Sequence, residues 1–291
     1  MCCDSNVSDN RPEQLREVAE QVVSEAAEFV RRRRAEIFGP STDGAGHAAV
    51  RTKSSPTDPV TVADTDTEQL VRDRLARLRP GDAILGEEGG GTSPAREAAG
   101  TVRWVVDPID GTVNFLYGIP AYAVSVAAQI DDVSVAGAVA DITGGEIYSA
   151  ARGLGAHLIA DGQRRRLRCN AIDDLSMALL GTGFGYAPQR RAAQAALLAQ
   201  LLPVVRDVRR IGSAALDLCM VAAGRLDAHY EHGLQVWDWA AGALIAAEAG
   251  AVVVLPGNDD SGAAVVVAAA PGVAAQLIEA LDRISGLAPL P

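Results

Sequence analysis

Trp104-Val105-Val106-Asp107-Pro108-Ile109-Asp110-Gly111-Thr112 is the stretch on which the reading of this chain turns. Trp104 to Val106 form the apolar run of a buried strand. Pro108 has no N–H to give a sheet ladder, so the strand is predicted to end there. The chain then turns, and two carboxylates three residues apart can converge on one point. Gly111 lets a ligand approach the backbone closely. Thr112 and Asn114 stand where a helix would open, and the free N–H groups of a helix start favour an anion such as phosphate. Hard oxygen ligands beside an anion pocket select Mg²⁺ over zinc. Taken alone, the same residues also describe a strand-ending turn capped by an aspartate.

Three further segments carry carboxylates at comparable places. Glu87-Glu88 follows Ile84-Leu85-Gly86, another predicted strand end. If the two strands are neighbours, their loops meet. Trp237-Asp238 precedes the apolar run Ala240 to Ala243, and Asp238 occupies the position expected of a helix N-cap. A cap carboxylate can also ligate a metal. Lys53 to Asp64 contains the only lysine of the chain and ends on an aspartate that opens a helix.

Composition limits the alternatives. With 291 residues the chain is one large domain or two joined lobes. Hydrophobic residues make up 48% and charged residues 22%, the usage of an ordered globular protein. A net charge of −11 repels a phosphate backbone and argues against direct nucleic-acid binding. No apolar stretch reaches the length of a membrane span, and the N-terminus has no basic-then-apolar leader. Cys2, Cys3, Cys169 and Cys219 lack zinc or disulfide spacing, which suits a reduced, cytoplasmic protein.

The pattern predicts a disordered tail over 1–10 and a helix opening at Pro12, capped by Asp9 or Asn10 and stopped by Gly39-Pro40. A second helix is expected over about 64–79. Strands and hairpins fill 83–159, with turns at Asp131-Asp132 and Gly144-Gly145. From there strands alternate with helices, the sign of sheets covered by helices. Two lobes of one unit are expected, dividing near residue 150: an α+β lobe over about 11–150 and an α/β lobe over about 151–291. His157, His229 and His232 read as ordinary strand or loop residues. Gly181-Thr182-Gly183-Phe184-Gly185-Tyr186 lacks the third glycine and the acidic partner of a dinucleotide loop.

Together the four segments resemble the inositol monophosphatase family. Its GEE, DPIDGTxNF, WDxxAG and K-S-x-x-D-x-V-T-x-x-D patterns are met by Gly86-Glu87-Glu88, Asp107 to Phe115, Trp237 to Gly242, and Lys53 to Asp64. Arg210-Ile211-Gly212-Ser213-Ala214-Ala215 matches as well, and bacterial members of the SuhB type are the most alike. The likeness covers about residues 12–285. It implies a layered α-β-α-β-α sandwich and Mg²⁺-dependent hydrolysis of a small phosphomonoester, inositol 1-phosphate first. Carried over by position, Glu87, Asp107, Asp110, Asp238 and the Ile109 carbonyl would hold metal. Asp64 and Thr112 would activate the attacking water beside Glu87, and the Gly111 and Thr112 amides would hold phosphate oxygens. Gly212, Ser213, Ala214 and Glu231 would line the alcohol side, with Glu231 and Asp110 on substrate hydroxyls. The resemblance also implies a homodimer and inhibition by Li⁺. It leaves two alternatives: another substrate, such as fructose 1,6-bisphosphate, histidinol phosphate or 3′-phosphoadenosine 5′-phosphate, and a role as a partner of the transcription machinery. Tyr186 departs from the pattern, standing where some relatives carry a small hydroxyl residue.

Overall fold

The structure, a computed structural model, describes residues 10–39, 50–52, 59–91, 99–257 and 265–291. Most of the predicted tail, Cys2, Cys3, His47 and Lys53 lie outside the described residues. Helix α1 (Pro12–Phe38) buries Leu15, Ala19, Val22, Val23, Ala26 and Val30 at helical spacing. Its N-cap is Arg11, without a side-chain cap bond. The cap expected from Asn10 is not made, because the Asn10 amide oxygen accepts from Arg79 instead.

Strands β1 (Val50–Thr52) and β2 (Pro59–Thr61) pair and lead into α2 (Val62–Leu78). Next come β3 (Ala83–Gly86), β4 (Val102–Asp110), the short α3 (Thr112–Tyr117), β5 (Ala123–Ile130), β6 (Val133–Asp141), β7 (Ile147–Ala151), β8 (Gly155–Ala160) and β9 (Gln163–Arg166). β3 to β9 form one sheet in chain order, with β3 parallel to β4 and the rest antiparallel. The expected division near residue 150 therefore falls inside β7, and this sheet ends only at Arg166. Sequence could not show it, because a hairpin has the same pattern in either sheet.

The second sheet contains β10 (Leu179–Thr182), then α4 (Pro188–Leu201), β11 (Asp207–Arg209), α5 (Ala214–Ala222), β12 (Ala228–His232), α6 (Val236–Glu248), β13 (Val252–Val254), β14 (Val265–Ala269) and α7 (Pro271–Arg283) around it. Its strand order is β11-β10-β12-β14-β13. α1 and α2 cover the outer face of the first sheet, and α5 and α6 fill the space between the sheets. Leu197 and Leu201 of α4 are buried, and Leu201 packs with α7 on the outer face of the second sheet. This is the expected five-layer α-β-α-β-α sandwich.

The middle layer is tight because its residues are small. A Cβ on Gly137 of β6 would stand 3.1 Å from the Ala241 Cβ of α6. One on Gly242 would meet the Leu218 Cβ of α5 at 2.9 Å. The Ala-Gly pair after Trp237-Asp238 thus permits α6 to lie against both a strand and a helix. Ala241→Leu is expected to overpack this layer and cost about 1–3 kcal/mol of stability, read as a lower midpoint in urea unfolding; an unchanged midpoint would show that the layer has slack.

Candidate metal-assisted active site

Pro108 does not end β4. Asp107 pairs with Ser125 and Asp110 with Ala123, so β4 holds one more residue than β5 over that interval. The extra residue makes a bulge, where a proline with no N–H can sit inside a strand. Both aspartates therefore belong to the strand end itself. Asp107 is 1% exposed, and its Oδ1 accepts from the Ile109 amide at 3.0 Å.

Glu87 follows β3, the parallel neighbour of β4, and its N–H donates to the Val106 carbonyl. The turn is held by Glu68 of α2, a buried carboxylate without a sequence signal of its own. Glu68 accepts from the amides of Glu88 at 2.7 Å and Gly89 at 2.8 Å and from Arg72. The Glu87 carboxyl lies within hydrogen-bond reach of Asp107.

Asp238 is not the N-cap of α6 but its third residue. Gln235 is the cap, and its N–H donates to Asp238 Oδ2 at 2.7 Å in a reciprocal capping box. Asp107, Asp110 and Asp238 each offer an oxygen within 4.8 Å of the others. Burial, reinforced by Glu87 and then Asp110, pushes the Asp107 and Asp238 carboxyls well up. Asp110 is pushed up to about 6, since burial outweighs the hydrogen bonds it accepts from Ser213 and Ala215. Among the described residues none of the three forms an ion pair. A set of hard oxygen donors that repel one another fits a divalent cation.

Asp64 stands behind this cluster. It too is a third helical residue, not a cap: Thr61 caps α2 and holds Asp64 Oδ2 through its N–H at 2.8 Å and its hydroxyl at 2.5 Å. The other oxygen, Oδ1, accepts from the Thr112 hydroxyl at 3.2 Å. That hydroxyl also reaches the Ile109 carbonyl at 3.1 Å.

All sequence candidates except Asp64 line one cavity of about 440 Å³. They are Glu87, Asp107, Ile109, Asp110, Gly111, Thr112, Gly212, Ser213, Ala214, Glu231 and Asp238. Tyr186 lines it too. Sequence reasoning missed Arg190 and, as a wall residue, Arg210; Arg210 adjoined a quoted motif, but Arg190 is one arginine among many. Gly111 has φ 94° and Gly212 φ 96°, and a Cβ on Gly111 would meet the Gly212 carbonyl at 3.1 Å. Two left-handed glycines thus let the rims of the two sheets touch.

A family model described as the inositol monophosphatase family matches residues 11–285. Among curated relatives, an inositol-1-monophosphatase of Mycobacterium leprae is 69% identical over 287 residues, 98% of this chain and 99% of that protein. The solved structure of Mycobacterium tuberculosis SuhB aligns with a TM-score of 0.81 at 61% identity, covering 96% of this chain and 100% of that one. A more distant relative, a Nus factor SuhB of Vibrio cholerae, is 38% identical over 203 residues, 69% of this chain and 73% of that protein.

The raised carboxyls have a signed consequence for stability. A carboxyl that titrates higher in the folded than in the unfolded chain contributes stability that is complete below the unfolded value. That stability is lost as pH rises through the folded value, about 6 for Asp110. A divalent cation cancels the repulsion that appears. The rise in melting temperature on replacing chelator with a divalent cation should be larger at about pH 8 than at about pH 5. An equal rise at both would show that these carboxyls do not form the cation site.

Proposed function

The chain belongs to the inositol monophosphatase family, and from that premise we propose that it hydrolyses inositol 1-phosphate to inositol and phosphate with Mg²⁺. The convergence of Asp107 and Asp110 from one sheet with Asp238 from the middle helical layer carries the reading. Glu87, Asp107, Asp110, Asp238 and the Ile109 carbonyl would hold the cations. Bound Mg²⁺ supplies charge neutralisation for the phosphate dianion and Lewis acidity toward water and the leaving oxygen.

The chain's own residues do the rest. Thr112 holds the attacking water and passes its proton toward Asp64, whose second oxygen is tied down by Thr61. The oxygen so freed attacks phosphorus in line. The bond from phosphorus to the inositol oxygen breaks, and that oxygen takes a proton from solvent. The Gly111 and Thr112 amides face phosphate oxygens. Gly212, Ser213 and Ala214 shape the alcohol side, where Glu231 and Asp110 accept from vicinal hydroxyls. Glu231 favours a polyol over the other phosphomonoesters considered.

The same reading includes a cytoplasmic homodimer sensitive to Li⁺, as the family resemblance implies. Among the described residues no helix is long and apolar enough to cross a membrane. The second reading is a partner of the transcription machinery; the Vibrio cholerae relative is named a Nus factor. The net charge of −11 points such a role toward protein partners rather than RNA.

Two substitutions test the assignment. Asp107→Asn should lower phosphate release from inositol 1-phosphate by about a hundredfold or more, since even groups supporting a metal ligand are worth 10–100-fold, with an unchanged circular dichroism spectrum; wild-type turnover in this variant would overturn the assigned roles. Asp64→Asn should lower kcat by about 10²–10⁴-fold with KM little changed, the signature of a lost general base; a rise in KM alone would place Asp64 in binding instead.

A further inference from the structure

His229 is not an ordinary strand residue. It is fully buried on β12, and neither ring nitrogen has a hydrogen-bond partner among the described residues. Nδ1 stands 3.7 Å from Asp217 Oδ2, and Nε2 stands 3.7 Å from Glu231 Oε2. Asp217 projects from α5, is 1% exposed, and its Oδ1 has no hydrogen-bond partner among the described residues. Glu231 lies two residues after His229, so the two share a face of β12. Ala228 and Tyr230 take the other face and pack in the outer core with α7.

The glycine run on β10 makes room for this set. Gly181 is the register partner of His229, and a Cβ there would stand 3.2 Å from both Asp217 Oδ1 and His229 Nδ1. A Cβ on Gly183 would stand 2.1 Å from both carboxyl oxygens of Glu231. Gly181-Thr182-Gly183 is therefore not a phosphate loop. It is the gap in which three ionisable side chains lie in a row.

Two carboxyls face opposite nitrogens of one imidazole, the layout of a hydrogen-bonded chain rather than of a chelate. Contraction of each contact by about 0.7 Å gives a normal hydrogen bond. Two such bonds need two protons among the three groups. An imidazolium between two carboxylates meets that count, as does a neutral imidazole beside one protonated carboxyl. Burial favours the second: it pushes the imidazole down to about 3, and pushes Asp217 well up and Glu231 up to about 8, with Glu231 and Asp110 as the next causes for these two respectively. In either form the row fixes the rotation of the Glu231 carboxyl at the cavity wall.

We propose that Asp217 and His229 are positioning residues that hold Glu231 in the orientation needed to accept hydrogen bonds from the vicinal hydroxyls of a polyol phosphate. They would set the preference for such esters over phosphate esters without hydroxyls. This rests on the hydrolase reading of the cavity. It adds to that reading the residues that make its alcohol side selective.

The test compares inositol 1-phosphate with p-nitrophenyl phosphate, which has no hydroxyl for Glu231, both in Mg²⁺. His229→Leu should raise KM for inositol 1-phosphate by about tenfold, the loss of one hydrogen bond. It should leave kcat/KM for p-nitrophenyl phosphate within about twofold. His229→Gln, which keeps a polar group near the Nε2 position, should restore most of the discrimination. Gly183→Ala adds a methyl whose three nearest atoms are those of the Glu231 carboxyl, and it should give the same selective loss. Equal losses on both substrates in His229→Leu and Gly183→Ala, or no loss in either, would overturn the proposal. If the wild-type protein releases phosphate from neither ester, the hydrolase reading fails instead.

Discussion

One carboxylate ties the two sheets together at the cavity. Asp110, at the end of the first sheet's β4, accepts from the Ser213 hydroxyl at 2.5 Å and the Ala215 amide at 2.7 Å. Ser213 is the N-cap of α5, a helix of the middle layer. A negative group at a helix start satisfies N–H groups that have no partner within the helix and meets the positive end of its dipole. Asn114 repeats the tie, donating to the Ala121 carbonyl on its own side and to the Ile211 carbonyl across the gap. The contact between the Gly111 and Gly212 backbones completes it. Without these links Asp107 and Glu87 would not face Asp238 and Glu231.

The site works against the fold that presents it. Burying carboxyls together is unfavourable unless they are protonated or neutralised. Apolar layers on both sides offset that penalty. Trp104, Phe115 and Ile109 are buried behind the strand end, and the alanines of α5 and α6 pack between the sheets. Each acidic group is also held by neighbours of its own: Glu68 fixes the turn after Glu87, Thr61 fixes Asp64, and Gln235 fixes Asp238. Few of these supports touch the cavity, yet they determine where its oxygens point.

Local pattern made much of this legible. The apolar periodicity of α1 and the turn residues between hairpins depend on near neighbours, so a linear reading finds them. The four acidic segments were also visible: Glu87 and Asp110 stand beside glycine at strand ends, and Asp64 and Asp238 stand at the starts of helices. Pro108 shows the limit. Its missing N–H predicts a break, but pairing with β5 absorbs the extra residue as a bulge. Asp64 and Asp238 show another. The pattern puts Asp238 at a helix cap and Asp64 at a helix opening, yet both stand third in their helices, because Thr61 and Gln235 take the cap.

What the chain determined by itself was its inventory: which side chains could hold a cation or a phosphate, which stretches are strands or helices, and a charge that disfavours RNA. These follow from covalent chemistry and from periods of two and 3.6 residues. Only the tertiary structure decided that Glu68 would hold the Glu87 turn, that β8 and β9 would extend the first sheet past residue 150, and that His229 would lie between Asp217 and Glu231. Glu68 and the Glu88 amide it holds are 20 positions apart, and Asp217 and His229 come from a helix and a strand; no local period encodes contacts between separate elements.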